Sequence, residues 1–99
     1  MASPTSIELE LYRVLDLLNV EYVSQYAVTE ARTVLDAFIP STKTALYADG
    51  DYWHSLPKVK IRDQRQDLKL RELGYTVHRL SEKDLRLNAE EIVRRALGM

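Results

Sequence analysis

An aspartate interrupts an otherwise apolar segment near the middle of the chain. Asp36 lies within VLDAFI at positions 34–39, and the β-branched and aromatic residues of this segment predict a strand. A carboxylate without a partner in a half-buried strand is costly, so something must compensate for it. The compensation is either a metal ion or a set of backbone N–H groups beside a turn, and the residues leave both open.

A second carboxylate ends the next predicted strand. Asp49 follows TALYA at positions 44–48, and the two strands are close enough in sequence to form a hairpin. Such a hairpin would bring Asp36 and Asp49 together at one edge of the sheet. Because carboxylate oxygens suit a hard divalent cation, the pair predicts a Mg²⁺ site, with Mn²⁺ as a possible substitute.

Four short segments carry a resemblance to a known family. They are LDAFIP at 35–40, YADGDYWH at 47–54, RD at 62–63 and ELGY at 72–75. Their order and spacing resemble the very-short-patch-repair (Vsr-like) endonucleases and related homing endonuclease catalytic domains. These form a branch of the PD-(D/E)XK restriction-endonuclease-like superfamily with an EDxHD signature. The resemblance runs from Glu8 to the C-terminal helices and implies a metal-dependent DNA endonuclease that hydrolyses phosphodiester bonds, nicking one strand per active site.

The resemblance assigns a role to each matching residue. It implies that Asp36 is a direct Mg²⁺ ligand and that the backbone carbonyl near Ala48 is a second ligand. Asp49 is placed in the same site by the predicted hairpin. It implies that His54 is the general base and that Asp63 orients its ring. This agrees with the chemistry, because a histidine with a pKa of about 6.5 accepts a proton near neutral pH and a carboxylate fixes its tautomer.

The glutamate of the signature has two interpretations. The resemblance places Glu8 there, but Thr5-Ser6-Ile7-Glu8 also reads as a helix capping box, which explains Glu8 without catalysis. Glu10 flanks the same apolar stripe on its other side, so helical periodicity does not choose between the two. The choice of Glu8 rests on the resemblance alone.

The chain departs from the family pattern at several positions. Asp49 stands where the repair enzymes have a histidine, and the absence of cysteine predicts that their structural zinc is missing. Tyr47 replaces a glutamate of related members, and Asp51 replaces the superfamily lysine. These departures favour an alternative hypothesis, a catalytically impaired module that binds DNA or a protein. A further alternative is the excised catalytic domain of a longer homing or mobile-element endonuclease.

Two groups of residues are candidates for DNA contact. Basic side chains at positions i, i+4, i+7 and i+11 form one stripe on the second predicted helix: Lys58, Arg62, Arg65 and Lys69. A solvated helix face has the same pattern. Tyr52 and Trp53 resemble the aromatic pair that repair endonucleases insert into the base stack, and a Trp that packs the loop against the sheet is the alternative.

The elements that must position these residues follow from periodicity and capping signals. We predict helices at about 5–19 and 55–73, strands at 20–28, 33–39, 44–48 and 75–80, and two short C-terminal helices opened by Ser81 and Asn88. The order αβββαβαα indicates an α/β fold, a restriction-endonuclease-like mixed sheet of about four strands flanked by helices.

The length and the charge of the chain limit the number of domains and the way in which it could bind DNA. The 99 residues predict a single nuclease domain spanning 1–99. With 14 basic and 15 acidic residues, DNA binding must depend on a local basic patch. The absence of a signal sequence and of a long apolar run predicts a soluble, intracellular, cytoplasmic protein without a membrane partner. Double-strand cleavage would require a homodimer or a fused DNA-binding domain, because one site aligns water with one phosphodiester.

Overall fold

The computed structural model describes residues 5–51 and 56–99. The elements in chain order are α1 (Ser6–Leu17), β1 (Val23–Val28), a 3-10 turn (Thr29–Ala31), β2 (Thr33–Ile39), β3 (Thr44–Asp49), α2 (Pro57–Glu72), β4 (Thr76–Ser81) and α3 (Glu82–Ala96). The predicted fold class, a mixed sheet of four strands flanked by helices, is confirmed. None of the helices in the described part of the chain combines the length and hydrophobicity needed to span a bilayer.

The strands lie in the sheet in the order in which they occur in the chain. β1, β2 and β3 form an antiparallel meander, whereas β3 and β4 are parallel and are connected through α2. A parallel pair requires such a crossover because its strands begin at the same edge of the sheet. In the β3–β4 register Asp49 lies opposite Ser81. The last residue of β3 therefore lies beside the start of α3.

Helices cover both faces of the sheet. One apolar cluster joins α1 and α3 to the sheet through residues such as Leu11, Leu46 and Val93. The second cluster joins α2 and the 3-10 turn to the opposite face through Leu70 and Ala31. The sheet therefore holds α1 and α2 on opposite sides, and they reach the end of β3 from different directions.

The first helix begins as predicted and ends two residues earlier. The Thr5 hydroxyl accepts a hydrogen bond from Glu8 N at 3.4 Å, and the Glu8 carboxylate accepts one from Thr5 N at 3.1 Å, which confirms the capping box. At the other end Asn19 has a φ of +61°, and Val20 N donates to Leu15 O at 3.0 Å. This is a Schellman motif. It uses Val20 to close the helix, so β1 begins at Val23 and not at the predicted Val20.

The C-terminal region contains two helical segments joined at Asn88. Helical hydrogen bonding runs through Glu82–Ala96, but Asn88 has non-helical angles of φ −158° and ψ 80°. Both predicted caps are present: Ser81 Oγ accepts from Asp84 N, and Asn88 Oδ1 accepts from Glu91 N, each at 3.2 Å. The two predicted short helices are therefore present and adjoin at Asn88, which caps the second.

Candidate active site

The regular alternation of side chains along β2 breaks at Asp36. In a regular strand, residues two apart face the same side of the sheet. Leu35, however, packs in the cluster beneath α2, whereas Ala37 packs in the cluster beneath α1. On the neighbouring strand Gln25 has a φ of +52°, a left-handed conformation that is rare inside strands. Asp36 therefore lies at a local distortion of the sheet, a feature that re-aims side chains beside active sites.

Hydrogen bonds fix the Asp36 residue from two elements. Ala48 N donates to Asp36 Oδ2 at 2.7 Å, so the carboxylate bonds the backbone of the adjacent strand. The Tyr12 hydroxyl of α1 donates to Asp36 O at 2.7 Å and accepts from Gln25 Nε2 at 3.0 Å. The Ala48 bond is one of the two forms of compensation that the sequence left open.

The structure places Glu8, and not Glu10, beside Asp36. Glu8 raises the pKa of Asp36 through its charge and through a hydrogen bond between the two side chains, while it also closes the capping box. Glu10 instead pairs with Arg13, with Nη2 and Oε1 2.6 Å apart. One side chain thus has both of the roles that the sequence treated as alternatives for Glu8, helix capping and proximity to Asp36.

The surroundings of Asp36 favour its neutral form. Burial raises the pKa of Asp36 from its ordinary value of 3.8 to about 7; the hydrogen bond from Ala48 opposes this shift, and the charges of Glu8 and Asp49 add to it. Two carboxylates that interact in this way at neutral pH favour either a bound proton or a cation between them. The Glu8–Asp36 carboxylate pair is therefore a candidate cation site.

The raised pKa of Asp36 predicts a pH-dependent stability in metal-free buffer. The folded protein keeps a proton on Asp36 that the unfolded chain releases, so the free energy of unfolding should fall as the pH rises from about 4 to about 7. The contribution is at most about 1.4 kcal/mol per pH unit. Urea unfolding with EDTA at several pH values measures it. If Asp36→Asn shows the same pH dependence as the wild type, the burial argument is wrong.

Asp49 and Asp63, both predicted from the sequence, meet at one guanidinium. Arg79 Nη1 lies 3.3 Å from Asp49 Oδ1 and 3.5 Å from Asp63 Oδ2. Asp63 is buried, with 6% of the residue exposed, and Arg62 Nη2 lies 3.4 Å from its Oδ1. The structure therefore brings together the end of β3 and the buried face of α2.

Arg79 itself was missed by sequence reasoning. It donates to Asp67 through Nε at 2.9 Å and through Nη2 at 2.8 Å, and its guanidinium lies 3.9 Å above the centre of the Tyr47 ring. Burial lowers the pKa of Arg79, but the Asp67 hydrogen bonds and the charge of Asp49 outweigh it, so the pKa is raised. The sequence did contain a signal for Arg79. It is a charged residue between Val77 and Leu80, just as Asp36 is a charged residue within the apolar segment of β2.

A cleft of about 490 Å³ opens at this end of the sheet. Its lining includes Glu8 from α1, Ala48 and Asp49 from β3, Arg62 from α2 and Arg86 from α3. Asp36 does not itself line the cleft, but its carboxylate accepts a hydrogen bond from Ala48, which does. Residues from every layer of the fold therefore converge on one concave surface.

The predicted basic stripe forms the wall of a second groove. This groove has a volume of about 610 Å³ and lies between α2 and the 3-10 turn. All four predicted residues line it, namely Lys58, Arg62, Arg65 and Lys69, together with Arg32 from the end of the turn. Arg62 lines both the groove and the cleft, so the two adjoin at this residue.

Three predicted site residues, Tyr52, Trp53 and His54, lie outside the described residues, so their proposed roles remain predictions. Within 5–51 and 56–99, no group of three or more His, Cys, Asp or Glu side chains is arranged to hold a metal ion. Mg²⁺, however, often binds through one or two carboxylates and completes its coordination with water and substrate phosphate. The Glu8–Asp36 carboxylate pair fits that donor set.

The fold is similar to that of a solved nuclease structure. The model matches a structure described as the homing endonuclease I-Bth0305I catalytic domain with a TM-score of 0.73 and 23% sequence identity; the match covers 96% of this chain and 92% of that chain. No protein-family model matches the sequence, and no curated protein matches it. At this level of identity the likeness shows the fold, which is nuclease-like.

Proposed function

We propose that this domain is a Mg²⁺-dependent DNA endonuclease of the Vsr-like, EDxHD type, which hydrolyses one phosphodiester bond per active site. The observation that carries the proposal is the Glu8–Asp36 carboxylate pair, held at a distortion of the sheet beside the cleft. The similarity to a homing endonuclease catalytic domain supports the same class of activity. The pair supplies the hard oxygen ligands that phosphodiester hydrolysis by a divalent cation requires.

The proposed metal ligands are Asp36 and the Ala48 carbonyl, with Glu8 completing the acidic side of the site. When bound, Mg²⁺ would supply positive charge to the phosphoryl oxygens of the substrate. Asp49 was predicted as a further ligand, but it pairs with Arg79 at 3.3 Å, a guanidinium that it shares with Asp63 and Asp67. We therefore assign Asp49 a supporting role at the edge of the cleft.

The proposed general base is His54, which would accept a proton from the attacking water. A neutral imidazole can do so near pH 7, and a carboxylate that accepts from its other nitrogen fixes the tautomer. Asp63 is suited to that second task because it is buried and contacts two guanidinium groups, those of Arg62 and Arg79. A carboxylate with two such contacts has a restricted orientation.

The proposed DNA path follows the groove on α2 into the cleft. Phosphate groups would bind the basic residues that line the groove, and Arg62 lies where the groove and the cleft join. Tyr52 and Trp53 are proposed to press against the bases near the cleaved bond. DNA is therefore the proposed partner, bound through its backbone along this surface.

Cleavage of a supercoiled plasmid tests the proposed activity. With Mg²⁺ or Mn²⁺, the supercoiled form should become open circle first, since one active site acts on one strand. Linear product should appear later or at higher protein concentration, where two copies act together, and EDTA should stop the reaction. Absence of cleavage with either cation would overturn the proposal, and linear product formed directly would show that the working unit is a preformed dimer.

Tyr47 favours a second candidate function, a catalytically impaired module that binds DNA. It stands where related members carry a glutamate, and its hydroxyl is 2.6 Å from the Thr33 hydroxyl while Arg79 covers its ring. Because position 47 is a tyrosine, it offers no carboxylate to bind a metal. Such a module would bind DNA, gain no stability from Mg²⁺ and cleave nothing.

A third candidate, the catalytic part of a longer homing endonuclease, is supported by the match to an isolated catalytic domain.

Charge reversal in the groove should weaken DNA binding alike for all sequences. Lys58→Glu combined with Lys69→Glu removes two proposed phosphate contacts, so the plot of log affinity against log salt should become less steep by about 2. Fluorescence anisotropy at several salt concentrations measures this slope.

The matched control carries the same charge change on the same helix. Lys60→Glu combined with Arg71→Glu alters two exposed basic residues of α2 that do not line the groove. If both double variants have the same salt dependence, the stripe is a solvated helix face and not a DNA contact.

A further inference from the structure

One arginine connects three acidic side chains from two different elements. The Arg79 guanidinium of β4 contacts Asp49 at the end of β3 and both Asp63 and Asp67 of α2, at 3.3, 3.5 and 2.8 Å. Only 19% of the Arg79 side chain is exposed. It lies within the fold and does not line the cleft or the basic groove. Its contacts therefore serve the protein and not a bound ligand.

Contacts along the edge and on the face of the Arg79 guanidinium fix its orientation. Asp67 binds Nε and Nη2 together, which is the bidentate arrangement that only a planar fork can make. The Tyr47 ring packs against the face of the same group at 3.9 Å. With these positions used, Nη1 is the nitrogen that remains for Asp49 and Asp63.

We propose that Arg79 is a positioning residue of the nuclease site. It holds Asp49 at the cleft and Asp63 on α2 in a fixed relation, and it acts on the reaction through these two carboxylates. This inference rests on the proposed function, because it assigns Asp63 to the orientation of the general base. Asp67 does not line the cleft, so its role is to hold the Arg79 guanidinium in position through two hydrogen bonds.

Lysine at position 79 separates the role in positioning from the role in charge balance. Arg79→Lys keeps one positive charge among the three aspartates, but an ammonium cannot bind two carboxylate oxygens in a plane or stack on Tyr47 as a guanidinium does. Positions that support a site through its contacting residues typically contribute about 10- to 100-fold to activity. We expect Arg79→Lys to lower the single-turnover rate by about that factor.

The test compares rate with DNA affinity in the whole chain. Plasmid nicking is measured under single-turnover conditions in Mg²⁺ for the wild type, Arg79→Lys and Asp67→Asn, and each rate is normalised to the folded fraction from thermal melting. The rate should fall in both variants while the DNA concentration at half saturation stays unchanged, because Arg79 does not line the proposed DNA path. Arg95→Lys, which alters an exposed pair with Glu91, should match the wild type.

A double variant shows whether Asp67 acts through Arg79. If it does, Asp67→Asn added to Arg79→Lys should lower the rate little beyond either single change, since both release the same guanidinium. Independent effects would instead multiply and would overturn the proposed connection. Should Arg79→Lys fail to fold, Asp67→Asn alone still carries the test through its rate and its half-saturation value.

The outcomes separate this inference from the function on which it rests. If the wild type nicks DNA and both variants nick at the wild-type rate per folded molecule, Arg79 is structural only and the inference is wrong. A weaker DNA affinity with an unchanged maximal rate would likewise overturn it. If the wild type does not nick DNA with any cation, the proposed function and this inference fall together.

Discussion

Asp36→Asn is expected to abolish DNA cleavage while leaving the fold intact. The substitution keeps the shape of the side chain and removes the negative charge that would hold the metal. A divalent cation contributes several kcal/mol to phosphoryl transfer, so its loss corresponds to a rate reduction of about a thousandfold or more. Single-turnover nicking of supercoiled plasmid in Mg²⁺ measures the effect, and wild-type rates in this variant would contradict the proposed site.

The same variant should be more stable than the wild type at pH 8 without metal. The amide oxygen of asparagine can still accept the hydrogen bond from Ala48 N, which is 2.7 Å from the Asp36 carboxylate in the wild type. Its amide nitrogen can donate to Glu8, whose negative charge raises the pKa of Asp36 in the wild type. A raised melting temperature beside an abolished activity would separate a metal ligand from a residue needed for folding.

His54→Ala is expected to lower the single-turnover rate by about 10² to 10⁴ if His54 is the general base. The stabilisation of the protein by Mg²⁺ should remain, because a base accepts a proton from water and does not hold the cation. Thermal melting with and without Mg²⁺ is measured beside the cleavage rate. Loss of the Mg²⁺ effect would show that His54 is a metal ligand and that its assigned role is wrong.

His78→Ala provides the matched control for the removal of a histidine. His78 is the other histidine of the chain and lies in β4, where it lines a separate cavity of about 430 Å³ with Thr44 and Thr76. It has no place in the proposed site, so its removal should leave the nicking rate unchanged. Equal losses in both variants would point to a general effect on folding.

Much of the fold could be predicted because local signals agreed with tertiary structure. The Thr5–Glu8 capping box, the cap at Ser81 and the break at Asn88 each depend on side chains within three residues of the backbone that they bond. Asp36 was recognised for a related reason, since a carboxylate inside an apolar strand needs a partner wherever the strand lies.

The contacts that complete the site depend on register, which local sequence does not specify. Tyr47 and Arg79 are partners only because β3 and β4 pair in parallel, and 31 intervening residues separate them in the chain. The bidentate bond from Arg79 to Asp67 adds a third element. No periodicity within one segment indicates such a cluster. Local sequence does not specify the proximity of Glu8 to Asp36 either, because this proximity depends on how α1 crosses the sheet.

The central claim is that the Glu8–Asp36 carboxylate pair is a divalent metal site, and a thermal melting titration tests it most directly. At pH 8 the melting temperature of the wild type should rise with Mg²⁺ and with Mn²⁺ until the site is saturated, since a ligand that binds only the folded state stabilises it. Asp36→Asn should show no such rise. A wild type that does not respond to either cation, or an Asp36→Asn variant that responds equally, would contradict the claim.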